Sequence, residues 1–412
     1  MRSPDATPSA VRLAYLVTHP IQYQAPLLAR IACEPDIELT AFFASELSLG
    51  AFRDPGFGRE VTWDVPLLEG YRHEFLPCLG ERRDLGILRP WSHGLARRLR
   101  RGGFQALWVH GYARPFHVWS LLAARALGLT TLLRDEATAI STRRGGAKRL
   151  LRAGFFAGLR PLVDRYLAIG SLNRAYWRAL GVAEERIFDM PYAVDNARFQ
   201  ALAGAAAARR DAFRQELGLP PDRPVVLYAS KLMARKRAGD LLEAFLGLGG
   251  AAAARRPLLL IVGDGELRAT LEARVAEAGA AGSVRFLGFR NQAELPAFYE
   301  LAEVFVLPSE HEPWGLVVNE AMNAGTAVIA SDQVAAAHDL ISPRRGRPET
   351  GVVFPVGDIA ALRGALEQVL ADPERAAALG RQALARVSAW DFEADVAGLR
   401  AALGLGPRGE AS

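Results

Sequence analysis

Two glutamates stand eight positions apart in the stretch EHEPWGLVVNEAM, residues 310–322. Glu312 precedes a Pro-Trp-Gly corner, and Glu320 lies about one turn into a helix predicted from Leu316 onward. A carboxylate can accept hydrogen bonds from both hydroxyls of a diol, so each glutamate could hold a sugar. The N–H groups near Gly315 would be unpaired at the helix N-terminus, where a phosphate can bind. Alternatively, Glu320 is only a favourable acid in an early helical turn.

A second cluster of charge follows the predicted strand 225–228. Lys231 and Lys236 are five positions apart in the loop that enters the next helix. Two cations after a strand, in the same half of the chain as the glutamates, suit a diphosphate. A solvated basic loop is the alternative interpretation.

A glycine-rich turn follows the apolar run 258–262. The turn reads Gly263-Asp264-Gly265 and leads into a helical pattern, but it lacks the G-x-G-x-x-G spacing of a dinucleotide site. Gly263 and Gly265 either lie near a nucleotide or only make a tight turn.

Polar residues in the first half also follow predicted strands. His19 and Gln22 come after the first strand, and His110 and Arg134 come after two later ones. In parallel α/β sheets, ligands bind outside the carboxyl ends of the strands. These residues are therefore candidates for contacting an acceptor substrate, or they are structural residues.

Other chemistries lack their sequence signatures. The chain has no Cys/His zinc spacing, P-loop, G-x-S-x-G or D-x-D. We therefore expect metal-independent diphosphate binding, with no metal site and no cofactor. Two cysteines, Cys33 and Cys78, are too few for a disulfide framework, so a reducing compartment is expected. The N-terminus lacks a signal-peptide h-region, and no apolar run approaches the ~20 residues of a membrane span.

Short apolar strands alternate with helical patterns along most of the chain, which indicates parallel sheets covered by helices. The predicted strands include 11–17, 37–43, 258–262 and 304–307, and one long helix is predicted over 358–388. Prolines near 220–224 mark a boundary between two domains, 1–200 and 222–390. We expect the helical stretch 391–406 to pack back on the first domain, and residues 1–9 and 407–412 to be loose.

Charge is concentrated between residues 97 and 160. Thirteen Lys and Arg residues there face only Asp135 and Glu136, a net charge of +11. Such a region either attracts anionic lipid or is a solvated surface. No recognition motif accompanies the charge, so we expect no nucleic-acid partner.

Several motifs of the second half occur together and in order. They are S-K-L-x-x-x-K (230–236), V-G-D-G-E-L (262–267), E-P-W-G-L-V-V-N-E-A-M (312–322), Gly325, the run 327–331 and G-V-V-F-P-V-G-D (351–358). The set resembles the retaining, nucleotide-sugar-dependent glycosyltransferases of family 4. That resemblance implies the GT-B fold, two Rossmann-like parallel-sheet α/β domains facing across a cleft.

The resemblance also implies roles for the matched residues. Lys231, Lys236 and Glu312 would be catalytic: the lysines bind the donor diphosphate and Glu312 contacts the donor sugar. The donor-binding residues would include Glu320 at the ribose, with Trp314, Gly315, Leu316, Gly263 and Gly265 around the sugar and phosphates.

The first half matches the family less closely. His19-Pro20-Ile21-Gln22 stands where relatives carry a glycine-rich loop, and Arg134-Asp135-Glu136 where many carry a histidine. These departures leave open which residue of the first domain is catalytic. The role of His311 also stays open.

The sequence therefore predicts a cytoplasmic glycosyltransferase that moves a sugar from a nucleoside-diphosphate sugar to a polysaccharide, lipid-linked or lipopolysaccharide acceptor. The basic region 97–160 would contact the inner membrane face. The alternatives are a sugar-nucleotide epimerase or hydrolase, and a non-catalytic nucleotide-sugar-binding subunit.

Overall fold

The apolar runs of the sequence become parallel strands in the computed structural model. The structure describes residues 10–406 apart from 84, 87, 90, 139, 141–145 and 343–347. The strands of that part are β1 (Val11–Val17), β2 (Ile37–Phe43), β3 (Phe52–Asp54), β4 (Arg59–Val61), β5 (Arg72–Phe75), β6 (Cys78–Leu79), β7 (Trp91–Ser92), β8 (Ala106–His110), β9 (Thr130–Arg134), β10 (Arg165–Ala168), β11 (Ile187–Asp189), β12 (Val225–Ala229), β13 (Leu258–Val262), β14 (Val284–Gly288), β15 (Val304–Leu307), β16 (Ala327–Ser331) and β17 (Gly351–Phe354).

Amphipathic segments between the strands form helices. Those of the described residues are α1 (Ala25–Ala32), α2 (Leu95–Arg101), α3 (Pro115–Ala126), α4 (Gly146–Leu159), α5 (Ser171–Ala179), α6 (Asn196–Ala207), α7 (Arg210–Glu216), α8 (Ala238–Leu246), α9 (Gly250–Ala254), α10 (Arg268–Glu277), α11 (Leu295–Leu301), α12 (Leu316–Asn323), α13 (Ile359–Leu370), α14 (Pro373–Ser388) and α15 (Phe392–Leu403). None of these helices is both long and apolar enough to cross a bilayer.

The contacts divide the chain into two units. Unit 1 contains Met1–Phe52, Val65–Pro191 and Phe392–Ser412, and unit 2 contains Arg53–Asp64 and Tyr192–Asp391. The chain passes from unit 1 to unit 2 after Pro191, earlier than the domain boundary near residue 200 that the sequence predicted. The reason is that α6 packs on α11 and α12 of unit 2. In unit 1, α15 packs on α1, β10 and β11. The ends expected to be loose, 1–9 and 407–412, lie outside the described residues.

Each unit contains one parallel sheet. In unit 1 the strand order is β11-β10-β9-β8-β1-β2-β5, and in unit 2 it is β14-β13-β12-β15-β16-β17. Both orders reverse direction beside their first strand, between β1 and β8 and between β12 and β15. This reversal is the topological switch point of a doubly wound sheet, where ligands bind at the carboxyl ends of the strands.

The central strands are buried on both faces, as parallel sheets require. Every residue of β12, β13 and β15 is buried. In unit 2, Val226, Tyr228 and Ile261 belong to one apolar cluster with residues of α8, α13 and α14. Continuous apolar runs therefore predicted these strands well.

Within the two parallel sheets three strands were not predicted, and one predicted helix is divided into two in the structure. The short strands β5, β11 and β17 were not predicted, because all three lie at sheet edges and none has a long apolar run. The single helix predicted over 358–388 is wrong. Pro373 has no N–H to continue a helix, and the Asp372 carboxylate accepts from the N–H groups of Glu374 and Arg375, so α14 starts anew.

Candidate functional site

Two loops meet at the switch point of the sheet in unit 2. One loop follows β12 and carries both lysines, and the other follows β15 and carries Glu312. The Glu310 N–H donates to the Arg235 carbonyl oxygen over 2.8 Å, and Arg235 donates to the His311 carbonyl oxygen over 3.2 Å. Because β12 and β15 are paired neighbours, these loops leave the same edge of the sheet side by side.

Lys236 and Glu312 form an ion pair between these loops. Lys236 ends a single 3-10 turn, Ala234–Lys236, and only 8% of its surface is exposed. Burial lowers the pKa of Lys236, and the adjacent Glu312 carboxylate partly offsets that effect. The Ser309 hydroxyl also donates to Glu312, over 3.3 Å. The structure thus joins two of the three residues predicted to be catalytic.

The corner between Glu312 and α12 is tightly packed. Gly315 has a φ of +98°, and a Cβ there would lie 3.1 Å from the Glu312 Cγ atom. Glycine therefore fits this corner where other residues would be strained. Leu316 follows as the first residue of α12 and is half-buried. No side chain caps the start of α12. The binding of an anion by its first N–H groups stays a prediction.

Trp314 supports the corner from inside unit 2. Its side chain is 3% exposed and stacks on Trp390, with ring centroids 5.4 Å apart. Its indole N–H donates to Asn319 over 2.9 Å, and Asn319 donates to the Tyr192 carbonyl oxygen over 3.1 Å. The buried ring holds the loop in place, so what Trp314 can offer a ligand is mainly its backbone.

Glu320 lies inside unit 2, with 6% of its surface exposed. The Tyr299 hydroxyl donates to Glu320 Oε2 over 2.8 Å. Burial raises the pKa of Glu320 to about 7, although the hydrogen bonds from Tyr299 and Gln292 lower it. Glu320 therefore loses its proton at a higher pH than an ordinary glutamate does, which sequence reasoning did not foresee.

The glycine-rich turn supports the lysine loop. A Cβ on Gly263 would lie 2.0 Å from the Ser230 carbonyl oxygen, and one on Gly265 would lie 2.6 Å from that of Leu232. The Leu232 N–H also donates to the Asp264 carbonyl oxygen over 2.8 Å. The two glycines let the backbones touch, and this contact positions the loop that carries Lys231.

Lys231 has a partner that sequence reasoning missed. Its ammonium donates to both carboxylate oxygens of Asp54, over 2.8 and 2.9 Å. The two residues are 177 positions apart, and Asp54 lies in a segment with no recognisable motif. No signal in the sequence could have found this pair.

The candidates of unit 1 lie around the switch point of its own sheet. His19 follows β1, and its Nδ1 atom lies 2.8 Å from the Thr18 hydroxyl. His110 ends β8 and pairs with the buried Gln24 amide, at 2.9 and 3.1 Å. Burial lowers the pKa of His19 to about 4 and that of His110 well below its usual value, so both rings are neutral at pH 7. Gln22 is half-buried in the turn after β1.

Arg134, the remaining candidate, is buried inside unit 1. It is 1% exposed and pairs with Asp395 of α15 over 2.9 Å. It also donates to the carbonyl oxygens of Met190 and Pro191, over 2.8 and 2.9 Å. These contacts tie the last helix to the sheet. In the described part of the chain, no three His, Cys, Asp or Glu side chains cluster as metal ligands would.

Known proteins resemble both halves of the chain. The family model "Glycosyl transferases group 1" matches residues 209–386. A GDP-mannose-dependent monoacylated alpha-(1-6)-phosphatidylinositol monomannoside mannosyltransferase of Corynebacterium glutamicum is 31% identical, covering 73% of this chain and 77% of the relative. A 2-deoxystreptamine glucosyltransferase of Streptomyces kanamyceticus is 34% identical, covering 53% of this chain and 52% of the relative. The chain spans about half the length of the first curated relatives it matches.

Solved structures show the same architecture. Anabaena HepE in complex with UDP is 17% identical and covers 96% of this chain and 100% of its own, with a TM-score of 0.70. Two parallel-sheet α/β units of this kind make up the GT-B fold, which this protein has. The chain belongs to the glycosyl transferases of group 1, as the motifs of its second half predicted.

Proposed function

We propose that the protein is a retaining glycosyltransferase that uses a nucleoside-diphosphate sugar as donor. The observation that carries this proposal is the pairing of Lys236 with Glu312 at the switch point of unit 2. Family membership and the names of relatives support it, since one is GDP-mannose-dependent and a structural neighbour binds UDP. The acceptor we propose is a lipid-linked glycan, lipopolysaccharide or polysaccharide, because relatives act on phosphatidylinositol mannosides and lipopolysaccharide core.

The chemistry follows from the charges of the two loops. When the sugar leaves the nucleotide, negative charge develops on the departing diphosphate, and fixed cations stabilise that charge in the transition state. Lys231, Lys236 and the N-terminus of α12 supply positive charge here, so we propose that the transfer needs no metal ion and no cofactor. Glu312 would contact the donor sugar, and Glu320 the ribose.

Donor binding can be tested by thermal unfolding. A ligand that binds the folded state raises the melting temperature. We expect UDP or GDP to raise the melting temperature of the wild type but to raise that of Lys236→Met far less, because methionine keeps most of the length of the side chain and removes its charge. Arg381→Met is the matched control, because Arg381 is an exposed cation of α14. If no nucleoside diphosphate stabilises the wild type, the proposal is wrong.

The catalytic step separates transfer from the alternatives. An epimerase or hydrolase converts a labelled donor without a second substrate, whereas a transferase releases nucleoside diphosphate quickly only when an acceptor is added. Equal release of UDP or GDP with and without a lipid-linked acceptor would contradict glycosyl transfer.

We further propose that unit 1 contacts the cytoplasmic face of an anionic membrane. Helix α4 exposes Leu150 and Leu151, each 76% exposed, and Phe155, 43% exposed. Leu151 and Phe155 line a surface cavity together with Arg114 and Arg152. Apolar side chains beside arginines are typical of a surface that enters the headgroup region of anionic lipid. Arg143 and Arg144 of the basic region lie outside the described residues.

Vesicle sedimentation tests this surface. We expect the wild type to bind vesicles that contain phosphatidylglycerol more strongly than pure phosphatidylcholine vesicles. Leu150→Ser with Leu151→Ser should reduce that binding several-fold, because each removes apolar area from the interface. Leu79→Ser is the matched control, since Leu79 is 71% exposed but lies on β6. Binding that is equal for both vesicle types would contradict membrane contact.

A further inference from the structure

A short ribbon from the first half of the sequence packs on unit 2. Strands β3 and β4 form their own two-stranded sheet, and residues 53–64 belong to unit 2 by their contacts. The Asn291 amide donates to the Thr62 carbonyl oxygen over 2.7 Å, and the Ala293 N–H donates to Asp64 over 2.9 Å. The ribbon is therefore anchored just beyond β14, at the same carboxyl edge of the sheet as the lysine loop.

The turn of the ribbon packs against Lys231. Asp54 is 8% exposed, and its Oδ1 atom accepts from the N–H groups of Gly56 and Phe57, over 2.8 and 3.1 Å, as well as from the lysine. The Lys231 ammonium lies 4.7 Å from the centroid of the Phe57 ring. A Cβ on Gly56 would lie 2.6 Å from the Lys231 Cδ atom, so the turn packs directly against this side chain, which stays 30% exposed.

Aromatic packing completes this contact. Phe57 meets Phe289 edge to face, with centroids 4.8 Å apart, and Arg59 lies 5.5 Å from the Phe289 ring centroid. Phe289 directly follows β14. The ribbon is thus held by an ion pair at its turn and by an aromatic pair beside it, and neither contact involves unit 1.

The ion pair has a consequence for the donor. A carboxylate and a phosphate bind an ammonium group in the same way, through charge-assisted hydrogen bonds. Asp54 therefore makes with Lys231 the same charge-assisted hydrogen bonds that the donor diphosphate would make. Its negative charge also neutralises the positive charge that would attract the donor. Lys236 differs, because its partner Glu312 is itself a proposed donor-site residue.

We propose that Asp54 is an internal competitor of the donor diphosphate for Lys231, and that donor binding releases the ribbon of residues 53–64. The ribbon is then an autoinhibitory cap on the diphosphate site. This inference rests on the proposed function, because it takes Lys231 to be a diphosphate-binding residue.

Calorimetric titration with UDP and GDP tests the competition. Asp54→Asn keeps an oxygen that can accept from Gly56 and Phe57 but removes the charge that opposes the donor. We expect it to tighten binding about fivefold, the change that about 1 kcal/mol makes in a dissociation constant. Asp64→Asn removes one negative charge from the same ribbon, at a residue that is not bonded to Lys231. The affinity of this variant for UDP and GDP should therefore equal that of the wild type.

A double-mutant cycle shows whether the effect passes through Lys231. Lys231→Met should weaken binding, and adding Asp54→Asn to it should change nothing further. If Asp54→Asn binds no tighter than the wild type while Lys231→Met binds more weakly, the competition is wrong but the proposed function stands. If Asp54→Asn tightens binding equally without Lys231, the competition is also wrong. If neither nucleotide binds the wild type, both proposals fail.

Hydrogen exchange of the unmodified protein gives an independent test. We expect saturating UDP or GDP, whichever binds, to speed amide exchange in peptides spanning 53–64, because the ribbon loses its anchor on Lys231. Slower or unchanged exchange in these peptides would overturn the release of the ribbon.

Discussion

Replacing Glu320 by glutamine is expected to stabilise the protein at pH 8 while weakening its binding of the donor. Glu320 is buried, and its pKa rises from an ordinary 4.5 to about 7 in the folded chain. The folded state therefore holds the proton more tightly than the unfolded state does. Ionisation of Glu320 therefore lowers the free energy of unfolding. Glutamine is neutral at every pH, so the Glu320→Gln variant avoids this loss.

The size of the effect follows from the two pKa values. Each pH unit between them corresponds to about 1.4 kcal/mol, so the total approaches about 3 kcal/mol. Below pH 4.5 both states are protonated and the penalty is absent. Stability is lost as the pH rises from 4.5 to about 7, and above that the loss is constant.

Urea unfolding of the wild type and Glu320→Gln at pH 4.5, 6, 7 and 8 measures this difference. We expect the variant's advantage to grow by about 3 kcal/mol between pH 4.5 and pH 7 and then to level off. The Gln oxygen can still accept from Tyr299, so the fold is expected to persist. Glu277→Gln is the control, because that carboxylate is 75% exposed, and its advantage should not change with pH in this way.

The same variant separates stability from function. If Glu320 holds the ribose as a carboxylate, losing its charge should weaken UDP or GDP binding about tenfold or more, since hydrogen bonds to charged groups contribute about 1.5–3 kcal/mol. An advantage that does not vary between pH 4.5 and 8 would refute the reasoning about burial. Unchanged nucleotide affinity would refute the role at the ribose.

Three further predictions concern single contacts. Tyr299→Phe removes a hydrogen bond that lowers the pKa of Glu320, so the pH at which UDP or GDP affinity is half-maximal should rise by about one pH unit; an unchanged pH profile would argue against that bond. Gly263→Ala would place a Cβ 2.0 Å from the Ser230 carbonyl oxygen of the lysine loop. We therefore expect the free energy of unfolding measured in urea to fall by at least about 2 kcal/mol and UDP to bind more weakly. Wild-type stability and affinity would contradict this packing. Asp395→Asn removes the carboxylate that pairs with the buried Arg134, and we expect it to cost about 3–5 kcal/mol; a loss below about 1 kcal/mol in urea unfolding would show that the pair is not structural.

Local patterns predicted the strands and the loops that follow them. The runs at 11–17, 37–43, 258–262 and 304–307 were assigned as strands with the bounds that the structure shows. A buried parallel strand is a short window of apolar residues, so the information lies within the window itself. Edge strands such as β17 contain too few buried residues to give that signal.

The residues of the candidate site were also visible locally. Lys231, Lys236, Glu312 and Glu320 stand at recognisable spacings in two short motifs, and both motifs follow strands. Sequence reasoning could therefore name them, but it could not say which of them touch. It also gave no sign that Glu320 is buried deeply enough for its pKa to rise to about 7.

What the sequence determined by itself is the central strands of both sheets, the family and the chemistry available in each loop. Only the tertiary structure decided the partners, because they are far apart along the chain: Lys236 and Glu312 by 76 positions, Lys231 and Asp54 by 177, and Arg134 and Asp395 by 261. The periodicity of apolar residues indicates whether a residue is buried. Which two residues contact each other depends instead on the order of the strands in the sheet and on where distant segments of the chain pack. No short window of sequence contains that information.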